Sequence, residues 1–267
     1  MLSLRRRSAA RSLLALMLLL AGCHVAADRD AALRIVTWNI HHARGLDKRV
    51  DVGRIADELR ALDADLVLLQ EVDVGARRSA GADIPSELAA RLEMHAAFEK
   101  NIDYQGGEYG NAILSRWPVV TRENLHYAVL RPGEQRGLLT VSVDAPDGPL
   151  AIGCTHIDAR EDDAERLQNV GEILATVAAR DLLAVGGDFN DLPESRVHGA
   201  LCGPLLDCWV EAGARAGGET YPADAPRKRI DWLLRSPDCG WRTESARVVR
   251  TAASDHRAVV FDLRRVR

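Results

Sequence analysis

Apolar residues in this chain come in short runs, and most runs stop abruptly at a polar peptide. Arg34 to Trp38 is rich in strand formers and ends at Asn39. Asp65 to Gln70 carries the unbroken stretch Leu66-Val67-Leu68-Leu69 and leads to Glu71. A strand apolar at every position is one buried on both faces. Between these two, Val52, Ile55, Ala56, Leu59 and Leu62 recur at helical spacing, which predicts a helix over Val52 to Leu62. Pro85 to Leu92 predicts another, with Pro85 in the first turn, where its missing N–H goes unneeded.

Further strands are expected over Ala112 to Leu114, Val119 to Thr121, Leu138 to Val143 and Leu150 to Thr155, around the turn signals Trp117-Pro118 and Pro146-Asp147-Gly148. The longest helix is expected over Asp162 to Ala179, with Leu167, Val170, Ile173, Leu174 and Val177 on one face. Leu182 to Val185 reads as a buried strand delivering Gly186-Gly187-Asp188, and Ile230 to Leu234, Ala246 to Val249 and Ala258 to Leu263 complete the strands. Strands that alternate with helices and then meander point to two packed sheets flanked by helices. Polar residues at strand ends would gather along one rim of such a scaffold.

Residues 1–23 stand outside this pattern. Arg5, Arg6, Arg7 and Arg11 precede an apolar run from Leu13 to Ala21, too short for the ~20 residues of a membrane span and therefore read as a signal peptide. Three arginines in a row also raise twin-arginine export, but the rest of that pattern is absent. Leu20-Ala21-Gly22-Cys23 resembles the bacterial lipobox, which implies cleavage before Cys23, lipidation there and a chain held at the cell envelope. Residues 24–33 are expected to be a tether and 34–265 a single domain, since no linker, repeat or low-complexity tract interrupts them. At 47% hydrophobic the chain has ample material for a core.

Removing the four leader arginines from 35 Lys+Arg leaves 31 against 39 Asp+Glu, a formal charge of −8. Nonspecific nucleic-acid binding works by neutralising many phosphates with basic side chains. A net-acidic domain whose lysines are Lys48, Lys100 and Lys228 is poorly built for that. With Cys23 assigned to lipid, four cysteines remain and none has zinc-site spacing. Cys154 is expected to be a buried thiol, and a bridge among Cys202, Cys208 and Cys239 is allowed outside the cell.

The polar peptides carry the chemistry. In order they are Thr37-Trp38-Asn39-Ile40, Gln70-Glu71-Val72, Tyr109-Gly110-Asn111-Ala112-Ile113-Leu114-Ser115, Thr155-His156, Gly187-Asp188-Phe189-Asn190, Arg229-Ile230-Asp231-Trp232 and Ser254-Asp255-His256. Carboxylates, imidazoles and amides in this arrangement suit metal-assisted attack on a phosphate ester. A cation neutralises phosphoryl charge, a carboxylate directs water and a histidine steadies or protonates an oxygen. The hard carboxylate and amide set favours Mg²⁺ or Mn²⁺ over zinc.

These motifs resemble those of the endonuclease/exonuclease/phosphatase superfamily, from about Arg34 to Leu263, in the bacterial branch whose first motif reads Trp-Asn-Ile-His-His. The resemblance implies an α/β fold, α+β in some schemes: a DNase I-like four-layer α/β/β/α sandwich with its site at one edge of the paired sheets. It also implies a metal-dependent phosphoric ester hydrolase using Mg²⁺ (or Mn²⁺). In that family pattern Glu71 is the main metal ligand, Asn39 lies beside it and Asp255 ligates or approaches the metal through water. Asp188 orients the attacking water, Asn190 donates to a phosphoryl oxygen, and Asp231 fixes the tautomer of His256. His156 stabilises the phosphate or acts as general acid, while Tyr109 and Asn111 reach the substrate.

Arg160 is a candidate phosphate ligand and Arg166 a structural ion pair. Of His41 and His42, one at most should face the site, because neighbouring side chains on an extended segment point opposite ways. The expected substrate is a lipid head group or a small phosphate ester, hydrolysed by a membrane-tethered monomer. The alternatives are a secreted or surface nuclease and, in another class, a non-catalytic binding module on the same fold.

Overall fold

The computed structural model describes residues 32–214 and 216–266. The signal segment, Cys23 and the tether as far as residue 31 lie outside them. The first sheet grows from a parallel β-α-β unit of β1 (Ala32–Asn39), α1 (Val52–Leu62) and β2 (Leu66–Val74). Asp51 caps α1 by accepting the Arg54 N–H, and Asp63 ends it in the left-handed region. After α2 (Ile84–Leu92) come β3 (His95–Tyr104) and β4 (Gly107–Ser115). The second sheet begins with β5 (Val119–His126), β6 (Gly137–Ala145) and β7 (Gly148–His156). Here the parallel unit recurs: α3 (Ala164–Arg180) leads from β7 to β8 (Ala184–Asp188). Then follow α4 (Arg196–Cys202), β9 (Leu206–Asp207), α5 (Cys208–Glu211) and β10 (Asp231–Arg235). Finally β11 (Trp241–Val249) and β12 (Ala258–Arg265) return to the first sheet.

The sheet orders are β11-β12-β1-β2-β4-β3 and β5-β6-β7-β8-β10-β9. Strand alternation explains how they stack. In β2, Leu66 and Leu68 join Ile35, Ile113, Leu139, Ile152, Leu233 and Phe261 in the core between the sheets. Val67 and Leu69 face the other way, with Val36 and Trp38, onto Ile55 and Leu59 of α1 and Leu88 of α2. On the far side Val185, Trp232 and Leu234 pack against Val170, Ile173 and Val177 of α3 and Val197 and Leu201 of α4. The layers are therefore α/β/β/α, and the unbroken Leu-Val-Leu-Leu run is what a strand needs with a sheet on one side and helices on the other.

Several expectations change. β1 takes in Ala32 and Leu33, assigned above to the tether, and Leu33 is buried in the core. β2 does not end at Glu71 but runs on to Val74, with its register against β4 slipping between Leu69 and Val72. The edge strand β3, the short helices α4 and α5, and β9 were not anticipated. Cys154, Cys202, Cys208 and Cys239 are all free thiols. Among the described residues, no helix is long and apolar enough to cross a membrane.

Candidate active site

The two parallel units are back to back, and their first and second strands end on the same rim. Asn39 closes β1, and His156 and Asp188 close β7 and β8 as register partners. Asp231 opens β10 opposite Asp188. Three functional side chains thus sit on three adjacent strands. Gly187 makes this close approach possible: a Cβ there would lie 1.8 Å from the Thr155 carbonyl oxygen, and its φ of +152° suits glycine.

The Ser254-Asp255-His256 loop is tied to β1 by two buried hydrogen bonds and braced within itself by a third. Trp38 Nε1–H donates to the His256 carbonyl at 3.0 Å, the Ser254 hydroxyl to the Asn39 carbonyl at 2.7 Å, and the His256 N–H to Ser254 Oγ at 3.2 Å. The tryptophan and serine of these motifs therefore place the functional residues next to them.

Asp188 is the centre of the cluster. Its Oδ1 accepts the Asn190 N–H at 3.0 Å, and its Oδ2 accepts Asn39 Nδ2 at 3.1 Å. The same Oδ2 lies 3.5 Å from His156 Nε2 and 3.7 Å from His256 Nε2, too long for direct hydrogen bonds. Burial pushes the Asp188 carboxyl up, Asp231 adds to this, and His256 opposes it. Burial works against charge on His256, but Asp231 and Asp188 outweigh it and push this imidazole above its usual range. His256 Nδ1 donates to Asp231 Oδ2 at 2.9 Å, an oxygen that also accepts the Thr220 hydroxyl.

His156 has the opposite character. Burial, Arg136 and His256 all push it well below the ordinary value. The Arg136 guanidinium lies 2.8 Å from His156 Nδ1. Arginine only donates, so Nδ1 must carry the lone pair and the proton resides on Nε2, facing Asp188. Neither Arg136 nor Thr220 was singled out from the sequence. Each acts on a residue distant in sequence, and no local pattern marks it.

Glu71 occupies the bulge in β2 with φ +57°. A bulge turns a side chain out of the strand's alternation, and here it brings Glu71 Oε1 within 3.1 Å of Asn39 Nδ2. The orientation of the Asn39 amide is fixed, because its Oδ1 accepts the His41 N–H at 3.0 Å. Asn39 thus presents its nitrogen to both Glu71 and Asp188, and it would meet a metal through water or a phosphate oxygen. Asp255 lies beside His41, with Oδ1 3.5 Å from His41 Nδ1.

His41, His42 and Ala43 are successively left-handed, with φ of 46°, 46° and 63°. The segment is therefore not extended, and both rings turn to one side with centroids 4.6 Å apart. One ligand atom from each of His41, His42 and Glu71 lies within 4.8 Å of the others. The expectation that at most one histidine faces the site fails for this reason. The Nδ1 atoms of both histidines are buried without a hydrogen-bond partner. Carboxylates and unpartnered imidazoles together form a donor set that fits a divalent cation.

The remaining candidates are placed as follows. Tyr109 and Asn111 are buried in β4, and Asn111 Nδ2 donates to the Gly137 carbonyl at 3.2 Å. Asn190, left-handed at φ +48°, donates Nδ2 to the Ile157 carbonyl at 3.1 Å, so this amide braces the loop. Arg160 does not stand free for phosphate: it pairs with Glu165 at 3.1 Å and donates to the Pro132 carbonyl at 3.0 Å. Arg166 pairs with Asp191 at 2.9 Å, an ion pair as expected.

Residues 36–256 match the Endonuclease/Exonuclease/phosphatase family. The protein YbhP of Escherichia coli is 29% identical over 215 residues, spanning 75% of this chain and 83% of its own. An endonuclease/exonuclease/phosphatase from Beutenbergia cavernae is 26% identical and superposes with a TM-score of 0.75, covering 88% of this chain and 72% of its own. A mannosyl-6-phosphatase of Bacteroides thetaiotaomicron shares the fold at 18% identity, TM-score 0.69, with 86% and 99% covered. The human Nocturnin catalytic domain, solved with bound sulfate, does so at 21% identity and TM-score 0.69, with 89% and 95% covered. The match over most of the chain, on a four-layer sandwich with this rim of carboxylates and histidines, makes the protein a member of the endonuclease/exonuclease/phosphatase family.

Proposed function

We propose that this protein is a divalent-metal-dependent phosphoester hydrolase of the cell envelope, acting on small phosphate esters or head groups. The observation that carries this reading is the Asp188 carboxylate, held by two N–H donors and flanked by two imidazoles of opposite charge preference. Phosphoryl transfer spreads negative charge over the equatorial oxygens, so catalysis is mainly positioning and electrostatics.

Asp188 Oδ2 accepts a hydrogen from the attacking water and aims its lone pair at phosphorus, while Asn39 and the Asn190 N–H stop the carboxylate rotating. His256, kept cationic by Asp231, offers Nε2–H to a phosphoryl oxygen. His156, kept neutral, offers its own Nε2–H to another or to the leaving oxygen. Glu71, with Asp255 beside it, would hold a divalent cation, which when bound would supply Lewis-acid neutralisation of phosphoryl charge. No side chain here is set up as a phosphoryl-accepting nucleophile, so water attacks directly.

Two features narrow the substrate, the first against nucleic acid and the second against a head group of the anchoring membrane. Arg78 and Arg229, each next to further basic residues in the chain, are used internally: Arg78 pairs with the buried Asp73 at 2.8 Å and Arg229 with Asp207 at 2.7 Å. β1 also enters the domain at Ala32, at the opposite end of an eight-residue strand from Asn39, about 25 Å away at strand rise. Anchoring through Cys23 would thus attach the domain by the end remote from its site, which favours a soluble ester over a head group of the same membrane.

The test is turnover of plasmid DNA, phospholipid vesicles, bis(p-nitrophenyl) phosphate and a panel of sugar phosphates, each with Mg²⁺, Mn²⁺ or EDTA and against Asp188→Ala. Metal-dependent release of phosphate from a small ester, abolished in the variant, is expected. Efficient cleavage of DNA with the esters untouched would make it a nuclease. Full activity in Asp188→Ala would refute the site.

A further inference from the structure

The paired histidines after Asn39 have no assigned role. His42 is 5% exposed, and a buried polar group normally has a partner; neither His42 Nδ1 nor His41 Nδ1 has one. A core histidine held for structure would be satisfied by a carbonyl or a carboxylate. These are instead presented by three consecutive left-handed residues, a conformation that side-chain-bearing residues adopt singly rather than in series. Such strain persists only where the surroundings impose it. Here the Ala43 N–H bonds to the Ile40 carbonyl, the Ile40 N–H to the Gln70 carbonyl and the Asp51 N–H to the Ala43 carbonyl. The turn is thereby pinned to β2 one residue before Glu71, and β2 itself is bulged there. Two irregular backbone features converge on one spot.

We propose that His41 and His42 give imidazole nitrogens, together with the Glu71 carboxylate, to a mixed nitrogen–oxygen cation site that takes Mn²⁺ or another first-row transition metal in preference to Mg²⁺. The inference rests on the metal-dependent reading above and names the metal class of that site.

The geometry allows it. Donors about 2.1 Å from one ion lie at most about 4.2 Å apart, and the three present ligand atoms are already within 4.8 Å, so small side-chain rotations close the set. Asp255 Oδ1 lies 3.5 Å from His41 Nδ1, beside this trio but outside it. The chemistry selects the metal, because imidazole suits first-row transition ions whereas Mg²⁺ holds to oxygen ligands and water. Arg78 is among the charged groups near this pair. Arg78 does not bring uncompensated positive charge, since Asp73 neutralises it at 2.8 Å.

The test uses the purified, EDTA-stripped protein loaded with Mn²⁺ and examined by electron spin-echo spectroscopy, with and without ¹⁵N-histidine labelling. Directly bound imidazole gives nitrogen modulation that shifts with the label, and this is the expected result. Calorimetric titrations then compare Mn²⁺ with Mg²⁺ in the wild type, His41→Gln and His42→Gln. We expect each variant to lose at least tenfold in Mn²⁺ affinity and less than threefold in Mg²⁺ affinity. Mn²⁺ bound without nitrogen modulation overturns the inference, as does an equal loss for both ions. The spectrum of the wild type decides the matter even if a variant misfolds. Failure of the functional reading looks different: imidazole modulation would be present, but no phosphate ester would be turned over with any metal. If instead Glu71→Gln abolishes metal binding while both histidine variants bind normally, the metal-dependent reading stands and the imidazole ligation falls.

Discussion

Arg136 provides a direct test of how the two histidines divide their work. Its guanidinium, mostly buried, donates to His156 Nδ1 at 2.8 Å and pairs with Glu134 at 3.1 Å. Replacing it by methionine keeps the apolar stem but removes both the donor and the charge. A hydrogen bond involving a charged group contributes about 1.5–3 kcal/mol, and each 1.36 kcal/mol is tenfold in rate. If the bond exists to keep His156 in the Nε2–H form facing the substrate, Arg136→Met should lower kcat/KM by about 10- to 150-fold. The fold itself should persist, because His156 stays buried and only its orientation is released.

Two readouts separate this from a general loss of positive potential. Long-range ¹H–¹⁵N spectra should show one tautomer of His156 in the wild type and a mixture in Arg136→Met. Arg136→Lys keeps the charge on a flexible stem without the planar fork, and should recover part of the rate while leaving the tautomers mixed. Turnover within twofold of wild type in Arg136→Met, with the His156 tautomer unchanged, would refute the assignment.

Other perturbations probe the frame around this pair. Gly187→Ala should destabilise the protein by more than about 3 kcal/mol in urea denaturation. Its Cβ would sit 1.8 Å from the Thr155 oxygen, against a tolerable C···O approach of about 3.3 Å, so β7 and β8 must part; a loss under 1 kcal/mol would contradict the packing. Asp231→Asn should lower the His256 pKa, visible by NMR titration, and reduce kcat by about 10²–10⁴-fold, whereas unchanged turnover would remove His256 from the mechanism. Metal-free protein should lose stability as pH falls below 6.5: His42 takes up a proton only in the unfolded chain until pH approaches about 3, a slope of about 1.4 kcal/mol per pH unit from this group. His156, also lowered, adds in the same sense, while His256, raised, contributes stability below 6.5 that is lost as pH rises through its folded pKa. The acid slope should flatten in His42→Asn, and an unaltered slope would mean His42 is not buried neutral. His41→Gly should hold or gain up to about 1 kcal/mol, since relief of 1–2 kcal/mol of left-handed strain exceeds glycine's unfolded-state entropy; a loss above 2 kcal/mol would show that the turn is not strained.

The architecture was legible because burial is written directly into the sequence. Leu66 to Leu69 is apolar at every position, and such a strand has to be covered on both faces. Two β-α-β units of this kind already imply a sandwich with outer helices. The edge strand β3 was not legible, for the complementary reason. His95 to Tyr104 pairs only with β4, its register slips between Lys100 and Ile102, and few of its side chains are fully buried. Little selection for alternation survives where one edge is open and the ladder is bulged. The short strand β9 and helix α5 carry too few residues for any period to show.

The site was legible to the extent that its residues end strands, and illegible where a residue is placed by strain or by a remote partner. Asn39, His156 and Asp188 follow apolar runs, so sequence and rim position coincide. Glu71 was found for a reason that turned out to be incomplete: β2 continues past it, and a bulge rather than a strand end turns the carboxylate to the site. Arg160 misled because an arginine shortly after His156 has the right charge and sequence distance for phosphate, but the helix that follows brings Glu165 to it first. At His41 and His42 the two-residue alternation of an extended chain gave the wrong geometry altogether. Side-chain direction follows φ and ψ, and nothing in His-His-Ala announces three left-handed residues, none of them glycine. That conformation is imposed by hydrogen bonds to β2 and to Asp51, contacts that exist only once the sheet has formed. The fold thus creates a donor set that local propensity opposes. This is why the paired imidazoles, and not the carboxylates, are where the structure adds most to the chemistry of the site.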